Sequence, residues 1–153
     1  MLSIPNPEPS DNDFFGAAVA LSGDRLVVGA NNNDTGATDT GRVFVYDLAG
    51  ATPAVHTLAI NNPTPGASES FGAALALEGN TLVVSSIGDD TGASNAGIAY
   101  VFDLSSGTPD TPVHTINNPD PLANENFGGS ITLSGSLVGI GSATNMVSGV
   151  TAG

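Results

Sequence analysis

The 153-residue sequence sets fifteen Asp and Glu against two Arg and no Lys, a formal net charge of −13 at pH 7, so its field repels anions and argues against nucleic acid and anionic membrane as partners. With no cysteine, disulfides and thiolate metal sites are excluded. No apolar run reaches the length that spans a bilayer, so membrane insertion is not expected, and the length suits one ordinary domain with a real core.

From the N-terminus, "IPNPEPSDNDFFG" is a Pro-rich lead-in ending on the pair Phe15-Gly16. It lacks the basic start and apolar middle of a secretion signal. "GAAVAL" then alternates small side chains, Ala18 and Ala20, with larger ones, Val19 and Leu21, as a strand with one crowded face does. Ser22-Gly23-Asp24 follows, with Gly23 placed to take a positive φ in a tight hairpin, and "RLVVGA" runs back as a second strand. Past a loop rich in Asn, Asp and Thr, "RVFVYDL" puts Phe44 and Tyr46 on one face and Val43 and Val45 on the other. "VHTLAI" makes a fourth strand, with His56 expected to share a face with Leu58 and Ile60.

The same order then restarts. Phe71-Gly72 and Phe127-Gly128 follow Phe15-Gly16 at equal steps of 56 residues, the lead-ins begin in phase at Ile4, Ile60 and Ile116, and Gly79 and Gly135 repeat Gly23. "GIAYVFDL" at Gly97 answers "GRVFVYDL" at Gly41, and "VHTI" at Val113 answers the fourth strand two residues late, an even slip that would keep each side chain on its face if both segments are strand. The sequence is therefore one array of repeats, at about 4–59, 60–115 and 116–153. An all-β fold is expected, made of propeller-type blades of four antiparallel strands. One blade cannot bury both faces of its sheet, so neighbours must stack, with the Phe of one unit beside the next and Gly letting backbones approach.

These residues resemble the FG-GAP repeats of integrin-alpha-type β-propellers, above all the bacterial secreted form FG-x-[SA]-V-A-L-x-G-x-x-L-V-V-G-A, with an Asp-Asp-Thr-Gly-Ala loop and a G-x-x-Y-V-[FY] strand. The resemblance spans essentially the whole chain. It implies recognition through the loops at one end of the blades and an extracellular or cell-surface setting, with which an Asp-rich, Lys-free composition agrees. Repeats of that family often hold calcium in a D-x-D-x-D-G loop between the first two strands, but Ser22-Gly23-Asp24 is too short to wrap an ion, so that site is not carried over. The GAP tripeptide is also replaced, by "GAN" at Gly29, "SSI" at Ser85 and "GSA" at Gly141. At 56 residues per unit, 153 residues make about 2.7 blades, short of the four that ring closure takes. With Gly153 in phase with Gly41 and Gly97, the third unit is truncated before its aromatic strand. An incomplete propeller is expected, either a fragment or one completed by oligomerisation.

Candidate sites follow the repeat. Residues 88–95 align with 32–39, and Asp34, Asp39, Asp89 and Asp90 there are calcium candidates, although Asp and Asn in such loops also bond their own backbone to make turns. In the third unit Met146 stands in the place of Asp34 and Asp90. Asp13, Glu69 and Glu125 recur two residues before each Phe, placed to cap amides of a blade connection, and Asp47 and Asp103 end the aromatic strands. His56 and His114 lack a second local His for a metal site. Asn33-Asp34-Thr35 is the one glycosylation sequon. Phe15, Gly16, Phe71, Gly72, Phe127 and Gly128 are structural landmarks. Catalytic residues are usually singular whereas these acids recur, which argues against an enzyme, and the resemblance to FG-GAP propellers implies a non-enzymatic binding or adhesion module with a protein or glycan ligand. A structural subunit that self-associates through exposed blade edges is the alternative, and part of a propeller hydrolase or lyase a distant one.

Overall fold

The computed structural model describes residues 1–142; Met146 and Gly153 lie outside the described residues. Among these residues ten strands form three antiparallel sheets. The first holds β1 (Phe15–Ser22), β2 (Arg25–Ala30), β3 (Arg42–Asp47) and β4 (Leu58–Asn61) in that order. The second repeats it with β5 (Phe71–Glu78), β6 (Thr81–Ser86), β7 (Ile98–Asp103) and β8 (His114–Asn117), and the third pairs β9 (Phe127–Ser134) with β10 (Leu137–Ser142). The fold is an incomplete propeller, and no helix among the described residues is long and apolar enough to cross a membrane.

The pairing register repeats with the sequence. Leu26 lies opposite Tyr46 and Leu82 opposite Phe102, while Val43 faces Ile60 and Ala99 faces Ile116. Each first strand slips register just after its Phe, between Phe15 and Ala18 in β1 and between Phe71 and Leu75 in β5. The following Gly takes a positive φ, 93° at Gly16 and 91° at Gly72, a backbone that L side chains resist. Glycine also sets the blade spacing: a Cβ on Gly41, itself at φ 89°, would lie 2.5 Å from the Phe71 nitrogen.

Because strand side chains alternate, each sheet has one face toward the preceding blade and one toward the next. Val27, Val43, Val45 and Ile60 of the first sheet pack against Phe71, Leu82, Val84, Ile98, Tyr100 and Phe102 of the second, in one buried cluster. Phe71 is fully buried there, its ring 6.0 Å from Tyr100 and 6.2 Å from Phe102 in edge-on contacts. The Phe of one unit thus fills the space beside its neighbour. Val83, Ala99 and Val101 of the second sheet meet Ile131, Leu133, Val138 and Ile140 of the third in the same way.

The histidines depart from expectation. His56 does not share a face with Leu58 and Ile60: it precedes β4, and its ring packs edge-on against Phe44 at 5.3 Å and Tyr46 at 6.3 Å, on the sheet's other side. A turn in which the Val55 N–H donates to the Thr52 carbonyl, followed by a Thr57 N–H bond to the Val45 carbonyl, carries the chain across before the strand begins. His114, two residues later in phase, is already in β8 and exposed on the Ile116 face. An even slip preserves a face only when both segments are strand.

Candidate functional site

The connections between β2 and β3 (residues 31–41), between β6 and β7 (87–97) and between successive blades (62–70, 118–126) gather at one end of the array. With the lead-in 1–14, these segments hold ten of the fifteen carboxylates. Of the two arginines, only Arg42 belongs to this end, and it is paired with Glu8 at 2.5 Å.

Backbone hydrogen bonds fix these loops to one another. The carbonyls of Thr38, Asp39 and Thr40 accept the N–H groups of Ser68, Ser70 and Phe71 at 2.8, 3.1 and 2.9 Å. One blade on, Ser94, Asn95 and Ala96 accept from Asn124, Asn126 and Phe127 at 2.8, 3.1 and 2.9 Å. The acid-rich loop of each blade is therefore a splice to the next blade's lead-in. Its side chains serve the same turns: Asp34 Oδ1 accepts the Asp39 N–H and Asp90 Oδ1 the Asn95 N–H, both at 2.8 Å, and Asp89 Oδ1 accepts from Thr91. Asp39 itself sits at φ 52° with its backbone in the splice. The four calcium candidates thus fall two and two in separate loops, and among the described residues no three His, Asp or Glu side chains converge as a metal ion requires. Asn33, the sequon residue, is buried with its Oδ1 bonded to the Thr35 N–H, which leaves no room for a glycan.

A second device recurs beneath the splices. Asn118 donates through Nδ2 to Glu125 Oε2 at 2.6 Å and to the Ala96 carbonyl of the preceding blade at 3.2 Å, while its Oδ1 accepts the Asp120 N–H. Glu125 also caps the Leu122 N–H. Asn62 does the same with Glu69, the Thr40 carbonyl and the Thr64 N–H, and Asn6 with Asp13 and the Glu8 N–H. The capping role expected of the three recurrent acids is present, but the Asn seven residues before each acid was missed. Its signal was available in the phase-locked positions 6, 62 and 118. Asp13 and Glu125 are each 3% exposed, and Asp13 Oδ1 and Glu125 Oε1 have no hydrogen-bond partner among the described residues. Glu69 is more open. Its carboxyl is raised above the usual range, first by burial, with the charges of Asp89 and Asp90 adding and the Gly66 N–H opposing. The Tyr100 hydroxyl, 2.7 Å from Thr64 Oγ1, is raised by burial as well.

The family model for the FG-GAP repeat matches residues 6–46 and 65–102, more than half of the chain. The chain belongs to the FG-GAP repeat family. A comparison with curated proteins returns no match. The FG-GAP landmarks Phe71 and Gly72 are thus scaffold: the ring fills the junction between blades and the glycine turns the bulge. Asp47 and Asp103 likewise close the aromatic strands, accepting the N–H groups of Ala49 and Ser105.

At the opposite end the hairpins of successive blades are tied together. The Gly79 N–H donates to Ser22 Oγ at 3.0 Å, the Gly135 N–H to Glu78 Oε2 at 2.7 Å, and Arg25 reaches the Gly79 carbonyl and Asn80 Oδ1.

Proposed function

We propose that the chain is a non-enzymatic, extracellular binding or adhesion module that takes a protein or glycan ligand on the acidic loop end. The observation that supports this is the pair of backbone splices: loops held by main-chain bonds present a rigid polar surface, on which Asp34 and Asp90 are exposed with Oδ1 held by a backbone N–H and their negative charge facing solvent. The charge of that end favours a basic protein segment over an anionic glycan. Immobilised protein should retain an arginine-rich peptide, release it with salt, and ignore heparin. Asp34→Asn with Asp90→Asn should weaken retention severalfold, and Asp24→Asn with Asp110→Asn, at the hairpin end, should not. Equal loss in the two variants removes the loop end from the reading.

Repetition argues against a hydrolase or lyase, because the surroundings of Glu69 recur in kind at Asp13 and Glu125. Calcium is tested by melting with the ion and with chelator. Equal midpoints are expected, because Asp34, Asp89 and Asp90 already hold backbone amides.

A structural subunit that completes its blades in trans is favoured by a separate observation. Val19 and Leu21 on the outer face of the first blade are 63% and 62% exposed, whereas Leu75 and Leu77, 56 residues on, are packed between blades. Light scattering on a size-exclusion column decides it, and a clean monomer removes self-assembly.

A further inference from the structure

At the hairpin end of the first junction a cleft of about 460 Å³ opens between Ser22, Asp24, Arg25, Asp47 and Thr57 of the first blade and Asn80 of the second. All of its walls belong to the two four-stranded sheets and their own turns. Ties across the junction fix them: Arg25 Nη1 donates to the Gly79 carbonyl at 3.1 Å and to Asn80 Oδ1, the Leu48 N–H donates to the Asp24 carbonyl at 2.7 Å, and the N–H and hydroxyl of Thr57 both reach the Val45 carbonyl. Asp47 Oδ1 takes the Ala49 N–H. Left without a protein partner among the described residues are Arg25 Nε and Nη2, both carboxylate oxygens of Asp24, Asp47 Oδ2 and Asn80 Nδ2. Arg25 is one of two arginines in the chain, and unlike Arg42 it forms no ion pair among the described residues, although Asp24 precedes it and Asp47 is its register partner. The hairpin does not need these charges. Asp24-Arg25 is replaced by Asn80-Thr81 and Ser136-Leu137 in the units that follow, and both of those hairpins form.

We propose that this cleft binds a small zwitterion, a free α-amino acid, with its carboxylate on the open Nε and Nη2 edge of Arg25 and its ammonium on Asp24 and Asp47 Oδ2. A flat guanidinium edge with two unused N–H donors matches a carboxylate through two parallel bonds. The net charge of −13 disfavours a simple anion, and Arg25 disfavours a simple cation, so the ligand that satisfies both walls carries both signs. A sugar would lack an aromatic platform, because the Tyr46 ring behind the cleft is buried. The cleft lies at the opposite end of the blades from the acidic loops, and its ligand is independent of theirs.

The test titrates the whole isotope-labelled chain with L-alanine and follows amide chemical shifts by NMR. Saturable shifts are expected at residues 22–25, 47 and 79–80, with acetate, ethylamine and glucose each binding at least tenfold more weakly. Asp24→Asn with Arg25→Thr gives the first hairpin the pair that the second already carries, so it should fold and bind alanine at least tenfold more weakly. Arg25→Lys keeps the charge and a donor for the Gly79 carbonyl but loses the flat edge. It should weaken alanine by a similar factor at an unchanged melting midpoint, which separates binding from the tie between hairpins. Asp34→Asn at the loop end should leave alanine binding as it is. Absence of a saturable shift, full binding by Arg25→Lys, or an equal response to acetate or to glucose would each overturn the proposal, the last two by making the cleft an anion or a polyol site.

Discussion

The two blade junctions are built from the same repeat and differ in what completes them. At the first, four strands meet four, Val27, Val43 and Ile60 are fully buried, and Phe71 closes the cluster with two ring contacts. At the second, among the described residues, four strands meet two, and burial survives near the inner strands at Val83 and Ala99 but fades outward to an exposed His114 and a half-exposed Val113. The polar devices at the loop end do not follow that gradient, since the splice and the Asn clamp are as complete at the second junction as at the first. Apolar packing between blades is therefore set by how many strands are present, while the loop framework is local to each connection.

The largest effect that could break this contrast is at the landmark aromatics. Phe71→Ala should cost about 3–5 kcal/mol in urea unfolding, as loss of a fully buried ring does, and Phe127→Ala about half of that. Equal losses would mean that the packing around each Phe seen among the described residues does not set its worth. Next is the approach of the backbones. Gly41→Ala combines a positive φ with a clash on the Phe71 backbone and should cost about 2–4 kcal/mol. Gly23→Ala, at φ 57° in open space, should cost about 1 kcal/mol. Similar costs would show that the blades slide apart readily.

The clamp should invert the ranking. Asn118→Ala strips a side-chain donor from Glu125, whose other oxygen has no partner among the described residues, and should cost about 2–3 kcal/mol. Asn62→Ala beside the more open Glu69 should cost about 1–2 kcal/mol. A larger loss at Asn62 would tie the loop framework to apolar burial after all.

The smallest effect is in pH dependence. Because the Glu69 carboxyl is raised in the native state, its contribution is fully present below the ordinary Glu value and is lost as pH rises through the raised one. The difference in stability between wild type and Glu69→Gln should therefore move against wild type as pH climbs above about 4.5 and then level. A flat difference removes the burial of Glu69 from the account.

Much of the architecture was legible because each repeat restates the same local chemistry. Gly23, Gly79 and Gly135 announced three hairpins, and the alternation of Phe44 and Tyr46 with Val43 and Val45 announced a strand with the two pairs on opposite faces, all as found. What was hidden required knowing where a strand starts. His56 looked like a strand residue by alternation, but a turn at 52–55 fixed its side, and turns of that kind depend on long-range bonds such as Thr57 to Val45. The Asn clamp was hidden differently: Asn62 and Glu69 are seven residues apart in a loop with no regular period, so only comparison across repeats exposes them as partners.

The main-chain ties at residues 38–40 and 94–96 have a consequence for how such proteins diversify. A peptide carbonyl is common to all residues, so Thr38 can stand where Ser94 stands, and Asp39 where Asn95 stands, without loosening the joint. Natural variation can therefore rewrite the chemistry of the surface at positions such as 38 and 94, while 39 and 95, at φ 52° and 51°, keep to Asp or Asn, which accept that backbone.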